Sequence, residues 1–521
     1  MIRDISSLGR RQFDLLVCGG GIYGAWTAYD AAQRGLSVAI VDKGDWASGT
    51  SSASSKLIHG GLRYLETYDF GLVRKALAER QILLKYGPHR IWPLRFGVPV
   101  YSDSRIGKLK LAAGLMLYDL LAGLPSEKMR SMGHDKFGFS EHFACLKEAG
   151  LRGGFSYGDG QTDDARLVLE LISGAQALGA TCVNYCALTE FADQVGRDQI
   201  ISARDNLTGN NVNISAKQVV YTTGRWATTT DRGADWCRLS KGIHLVMPSI
   251  STDAALLLTA RSDGRVFFLI PWYGMTLLGT TDDDYLGDLE HVEIEHAEVT
   301  YLLEEANHYL KTLWTESDVV GRYAGVRAMK YSSVSSPSSA SRDWELKSTD
   351  SKTHYSIGGK ITSAREDAAN IVDTVCDGLD IKRACQTNCC RFPWAPEGDY
   401  TQWSAEKTIL ARELDIDEES IKWLLRRHGK RVEVILAAVE HDRSLAKRIN
   451  ISLPVINADM LFCAEHEMVV HLHDLLRRRL PLTIMSRVDK CKLREIAALV
   501  APLLSWDDTD IDREVDSCFR Q

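Results

Sequence analysis

Gly19, Gly20 and Gly21, with Gly24 three residues on, separate an apolar run, Phe13 to Cys18, from a stretch of helix formers, Ala25 to Arg34. Glycines at that spacing let a backbone close around a diphosphate. Gly19 permits the tight turn, Gly21 lets the chain approach the phosphates, and Gly24 lets a helix pack close to a strand. The free N–H groups of the helix start then face the anion. A second strand-like run, Ser37 to Val41, ends in Asp42, about 20 residues past the turn, where a carboxylate can accept hydrogen bonds from an adenosine ribose. A glycine-rich turn alone is often a plain connection. Strand, helix, second strand and terminal acid in this order point to a dinucleotide. No second such turn follows, which favours a resident flavin over two exchanging nucleotides.

Other residues suited to chemistry also lie beside glycines. Gly49 to Ser55, with Thr50 and Ser51, offers many donors without bulk, as a loop around a phosphate chain or a flavin ring requires. In the next segment, Lys56, Leu57, Ile58, His59, Gly60 and Gly61, the Leu57–Ile58 and Gly60–Gly61 pairs read as buried chain passing something flat. Lys217 to Tyr221 reads as a strand delivering Thr222, Thr223, Gly224, Arg225 and Trp226 to a second pass beside the dinucleotide. Arg63, Arg327, Arg342 and Lys360 stand beside glycines or small residues in separate loops. Any one alone is an ordinary surface cation. Together they suit a phosphomonoester, which carries close to two charges at neutral pH and matches guanidinium forks.

These residues need a large frame. The 521 residues suggest two or three domains. Hydrophobic residues at 45% and charged ones at 25% are globular values, and a net charge of −7 gives no reason to expect nucleic acid. No apolar leader opens the sequence and no run of about 18 apolar residues occurs, so neither export nor a membrane span is expected. The twelve cysteines are scattered and read as reduced thiols. Cys385, Cys389 and Cys390 cluster without a matching His or Cys set, so no metal site is expected.

The periodicity predicts helices over Phe70–Lys85 and, opened by Asp163 and Asp164, through Ala177. Val266–Ile270 and Thr276–Leu278 read as paired strands of a second, sheet-based domain. Pro393 and Pro396 mark a linker, and helical patterns follow at Ser404–Leu414, Glu418–Arg427, Val432–Glu440, Ala458–Arg479 and Lys490–Leu504. Ser104–Leu121 sets Arg105, Lys108 and Lys110 before a strongly apolar stretch. That pattern fits either a helix lying in a membrane surface or a core helix with a solvated first turn.

Ser51 to Glu66 (SSASSKLIHGGLRYLE) closely resembles the FAD-dependent glycerol-3-phosphate dehydrogenases. So do ALAERQILLKYGP from Ala76, DDARLVL from Asp163, KGIHLVMP from Lys241, IPWYGMTLLGTTD from Ile270, GGKIT from Gly358 and AEHEMVVHLHDLLRRR from Ala464, in the family's order and over nearly the whole chain. The resemblance implies an α/β fold. Its Rossmann-like FAD-binding domain is interleaved with a β-sheet substrate domain over 1–395, and an all-helical domain follows over 396–521. It implies oxidation of sn-glycerol 3-phosphate to dihydroxyacetone phosphate, with electrons passed to a quinone. The protein would be cytoplasmic, held peripherally on the inner face of the membrane with Ser104–Leu121 at the bilayer, and a homodimer is allowed.

The expected FAD contacts are Gly19, Gly21, Gly24, Asp42, Thr50, Ser51, Lys56, Leu57, His59, Gly60, Gly61, Gly224, Gly359, Lys360 and Thr362. Arg63, Arg342 and Lys360 would bind the substrate, Arg342 and Lys360 foremost at its phosphate. His244 would be the base, since imidazole titrates near neutrality, and Arg327 would stabilise the developing alkoxide. His59 is the rival base. Two departures stand out: Arg225 precedes Trp226 where the family has proline, and Ala328 follows Arg327 where it tends to have proline. They leave room for another polyol phosphate, such as erythritol 4-phosphate. An oxidase passing electrons to oxygen is the alternative acceptor chemistry.

Overall fold

The computed structural model describes residues 1–66, 68–123, 126–189, 193–195, 198–229, 236–250, 253–331, 343–450 and 452–520. Arg342 and the whole Ser-rich stretch Ser332–Ser341 lie outside the described residues.

One sheet has the strand order Trp344–Ser348, Thr353–Gly358, Asn211–Tyr221, Gln12–Cys18, Val38–Val41, Thr181–Val183. Gln12–Cys18 runs parallel to both neighbours, with Cys18 level with Tyr221 on one side and Val41 on the other. Three strand ends therefore deliver Gly19, Thr222 and Asp42 to one edge, where ligands of open parallel sheets bind. The helix Ile22–Gln33 starts at Gly21, a turn earlier than the helix formers suggest, and Gly35 follows it with φ +74°. Its alanines pack against the helices Asp164–Ala177 and Ala364–Gly378 in one apolar cluster with Val168, Ile172, Ile371 and Val375. Asp163 caps the Asp164–Ala177 helix as expected, accepting from Arg166 N at 3.3 Å.

The second sheet has ten described strands. Its long members are Cys237–Pro248, Gly321–Lys330, Ile91–Tyr101 and Leu151–Thr162. The chain enters it at Leu57–Ile58 and returns to the first sheet by Asp164–Ala177, which interleaves the two. The expected hairpin is present as Val266–Trp272 and Met275–Gly279.

From Tyr400 onward the named elements are helical. One expectation fails here: Ala458–Arg479 is not a single helix. Asn457–His466 ends, Met468 takes φ +52°, and a new helix starts at Leu472. Asp474 starts it by accepting from Val470 N and His471 N at 3.1 and 2.9 Å. The break lets Arg478 Nε and Arg479 Nη2 reach Asp45, beside the dinucleotide edge, at 2.6 and 2.9 Å. Buried Arg166–Glu467 and Arg427–Asp163 pairs join the same two regions. A buried carboxylate left without its arginine is strongly destabilising, and that outweighs a few tenths of a kcal/mol (about 0.7 at most per ordinary residue) of helix propensity.

No described helix is long and apolar enough to cross a membrane. The basic-apolar segment forms the helix Lys108–Leu121, apolar on two sides. Leu115 and Tyr118 are buried, whereas Leu109, Met116 and Leu120 are 89%, 72% and 64% exposed.

Candidate active site

Gly19 carries φ +113°, and a Cβ there would stand 2.6 Å from Thr222 O; a Cβ on Gly24 would stand 1.8 Å from Gly19 O. Only glycine fits either place. Thr222 Oγ1 seals the turn by donating to Gly19 O at 2.9 Å. Asp42 holds it from the other side, accepting from Gly20 N at 2.6 Å and Gly44 N at 2.8 Å, and burial pushes its pKa up to about 6. Asp42 thus braces the turn as well as lining the cavity, a role the spacing did not suggest. Ser51 Oγ accepts from Ile22 N at 2.9 Å, and Thr50 Oγ1 donates to Val326 O.

Both sheets wall a cavity of about 720 Å³, within the range of small-molecule sites, roughly 300–1,000 Å³. Of the expected FAD contacts, Gly19, Gly21, Asp42, Thr50, Ser51, Leu57, His59, Gly61, Gly224, Gly359 and Lys360 line it. Four do not. Gly24 supports the turn. Lys56 turns away, because a buried ammonium needs a counter-charge, and its Nζ lies 2.6 Å from Asp164 Oδ1. Gly60 N donates to Tyr118 Oη and Asp159 Oδ1 at 3.0 and 3.2 Å, and Thr362 Oγ1 accepts from His59 N at 3.2 Å. Lys56, Gly60 and Thr362 therefore shape the loop from behind. The residues present fit FAD: a glycine cradle at one end, with the buried, unpartnered Thr223 Oγ1 and Arg225 Nε beside it, and Leu57, Phe96 and Tyr157 at the other.

Arg63, Arg327 and Lys360 line the same cavity from three separate segments. Arg327 Nη2 donates to Thr280 Oγ1 at 3.0 Å and Nη1 to Asp282 Oδ1 at 3.3 Å, which fixes its head. Tyr64, not singled out from the sequence, stands between the other two: its ring centroid is 3.9 Å from Lys360 Nζ and 5.1 Å from Arg63 Cζ. The adjacent Arg63-Tyr64 pair was its only signal.

His244 does not line the cavity. It lies 1% exposed on the strand Cys237–Pro248, stacked on Tyr323 with centroids 4.9 Å apart. Its Nε2 is 2.8 Å from Ser55 Oγ, and Ser55 does line the cavity. Burial, then the charges of Arg327 and Lys56, hold the imidazole well below its usual pKa, so it is neutral at physiological pH. Ser55 was legible only as one of many hydroxyls in its loop.

A family described as FAD dependent oxidoreductase matches residues 14–340, and one described as the C-terminal domain of alpha-glycerophosphate oxidase matches residues 385–511. The chain is 34% identical over 543 residues to a glycerol-3-phosphate dehydrogenase of Synechocystis sp., covering 99% of this chain and 97% of that one. It is 32% identical to the aerobic glycerol-3-phosphate dehydrogenase of Bacillus subtilis, covering 92% and 88%. The structure superposes on the glycerol-3-phosphate dehydrogenase of Bacillus halodurans, solved with FAD, with a TM-score of 0.80 and 27% identity, covering 99% and 95%. Likeness at this level along the full chain, on the interleaved two-sheet fold, means that the protein belongs to the FAD-dependent glycerol-3-phosphate dehydrogenase family and takes FAD as its cofactor.

Proposed function

We propose that the protein oxidises sn-glycerol 3-phosphate to dihydroxyacetone phosphate and passes the electrons to a quinone at a membrane surface. The observation that carries the first half is the delivery of Arg63, Arg327 and Lys360 from distant segments into one cavity, which Ser55 also lines with His244 behind it. When bound, FAD supplies the acceptor for the carbinol hydride. Arg63 and Lys360, with Arg342, bind the phosphate. Arg327, its head fixed by Thr280 and Asp282, faces the oxygen on which charge develops. The hydroxyl proton passes to Ser55 Oγ as the Ser55 proton passes to His244 Nε2, which accepts it in the neutral tautomer that carries the ring proton on Nδ1.

Anaerobic addition of glycerol 3-phosphate to the yellow protein tests this: loss of the oxidised-flavin absorbance is expected, and an unchanged spectrum rejects the substrate. Ala328 lines the cavity, so erythritol 4-phosphate belongs in the same experiment.

The outer helix supports the membrane half. Leu109, Ala113, Met116 and Leu120 are exposed at spacings of four, three and four, one face of a helix, with Arg105, Lys108 and Lys110 at its start. An apolar face with basic residues at its edge suits the inner, anionic surface of a cytoplasmic membrane. The match of residues 385–511 to an oxidase domain favours a second reading, oxygen as acceptor. One hydrogen peroxide per substrate under air, undiminished by added quinone, would select it. We also propose that the α/β part runs to 395 and the helical part begins at 396, a division that the start of the helix Tyr400–Glu413 supports.

A further inference from the structure

Arg225 follows Gly224 just beyond the strand Asn211–Tyr221, lines the cavity and is 9% exposed. Among the described residues its guanidinium donates no hydrogen bond and joins no ion pair. Nε is sealed from solvent without a partner, and the contact it makes is with the Trp226 ring, whose centroid is 4.3 Å from Cζ. Two carboxylates, Glu290 and Asp288, act on the guanidinium from a distance but do not offset its burial, and Glu290 is already engaged by Lys43 and by the Trp226 indole N–H at 2.7 Å. Two residues earlier on the same wall the Thr223 hydroxyl is also buried and unpartnered. This stretch is tied to the glycine turn through Thr222 Oγ1 and Gly19 O.

A buried cation without a counter-charge is costly, and arginine does not escape the cost by losing its proton. Three other arginines on the wall have carboxylates: Arg327 has Asp282, Arg265 has Asp283 and Arg105 has Glu66. Arg63 pairs with none among the described residues but is only partly buried and rests against Tyr64. Beside a glycine turn, the missing partner is an anion with several oxygens. We propose that Arg225 and Thr223 bind the diphosphate of FAD, the guanidinium as its counter-charge and the hydroxyl as a second donor, in the place where the family motif carries proline.

The test uses full-length protein stripped of flavin, titrated with FAD and followed by flavin fluorescence and thermal melting. Arg225→Gln is expected to weaken FAD binding about ten- to a hundredfold, and Arg225→Lys less. The same Arg225→Gln substitution removes an unpaired buried charge, so the flavin-free variant is expected to melt higher than flavin-free wild type. A packing role would not move the two readouts in opposite directions. ADP, which carries a diphosphate, should lose affinity for the variant in step with FAD, and adenosine should not. Unchanged FAD affinity overturns the proposal. So does a raised KM for glycerol 3-phosphate with FAD affinity intact, which would give Arg225 to the substrate. Should Arg225→Gln fail to fold, Thr223→Val decides: weakened FAD binding supports the diphosphate contact and unchanged binding overturns it.

Discussion

His244 reaches the cavity through a hydroxyl, and that separates the effects of neighbouring residues. Ser55→Ala and His244→Asn should each lower kcat about a hundredfold, within the range of general acid–base catalysis, with flavin content unchanged; steady-state kinetics on flavin-loaded variants checks this. Lys360→Ala and Arg63→Ala should instead raise KM, because they hold the phosphate in ground and transition states alike. The pH profile carries a sign. The base must be unprotonated, and the His244 pKa is lowered by burial and by Arg327 and Lys56. The acid limb of kcat/KM should therefore fall below the ordinary imidazole value of about 6.5. A limb at or above that value would remove His244 from the role.

At the scale of elements, the outer helix Lys108–Leu121 joins two tasks. Tyr118, on its inner face, donates to Asp159 at 2.9 Å and accepts from Gly60 N, holding the loop that carries Arg63. Its outer face is Leu109, Met116 and Leu120. Replacing those three with serine should leave melting and flavin content unchanged and abolish flotation with anionic lipid vesicles. Tyr118→Phe should cost about 1–3 kcal/mol, since it leaves buried Asp159 short of a donor, as denaturant unfolding would read. The glycine-turn helix is less tolerant. Gly24→Ala, with its Cβ 1.8 Å from Gly19 O, should lose FAD.

Across the whole molecule, buried ion pairs tie the C-terminal helices to the dinucleotide edge. Burial pushes the Asp45 pKa up, and Arg479 and Arg478 more than reverse this, to about 2. Asp45→Asn should cost about 3–5 kcal/mol by stranding two arginines, together with some FAD affinity. Buried histidines set the acid response. His428 is brought down to about 4 chiefly by burial, and His244, His89 and His473 are lowered for the same first reason. The unfolded chain takes up these protons at about pH 6.5 while the fold refuses them, so stability is lost as pH falls below that value. Melting temperature measured from pH 8 to 5 should drop through this window, well before Asp45 titrates.

Much of the protein was written locally. The glycine spacing, the Asp163 cap and the amphipathic helices follow from contacts within a few residues, where spacing alone sets geometry, and the acid after the second strand follows from the fixed length of one strand–helix–strand unit. The cations of the site were legible one by one as residues suited to phosphate. Tertiary structure decided what depends on partners far along the chain. It turned Lys56 to Asp164, 108 residues away, put Ser55 between the cavity and His244, 189 residues away, and broke the Ala458–Arg479 pattern so that arginines could reach Asp45. In each case a buried charge or polar atom had to find its complement. Sequence spacing names such groups, and only the folded chain brings their partners within hydrogen-bond reach.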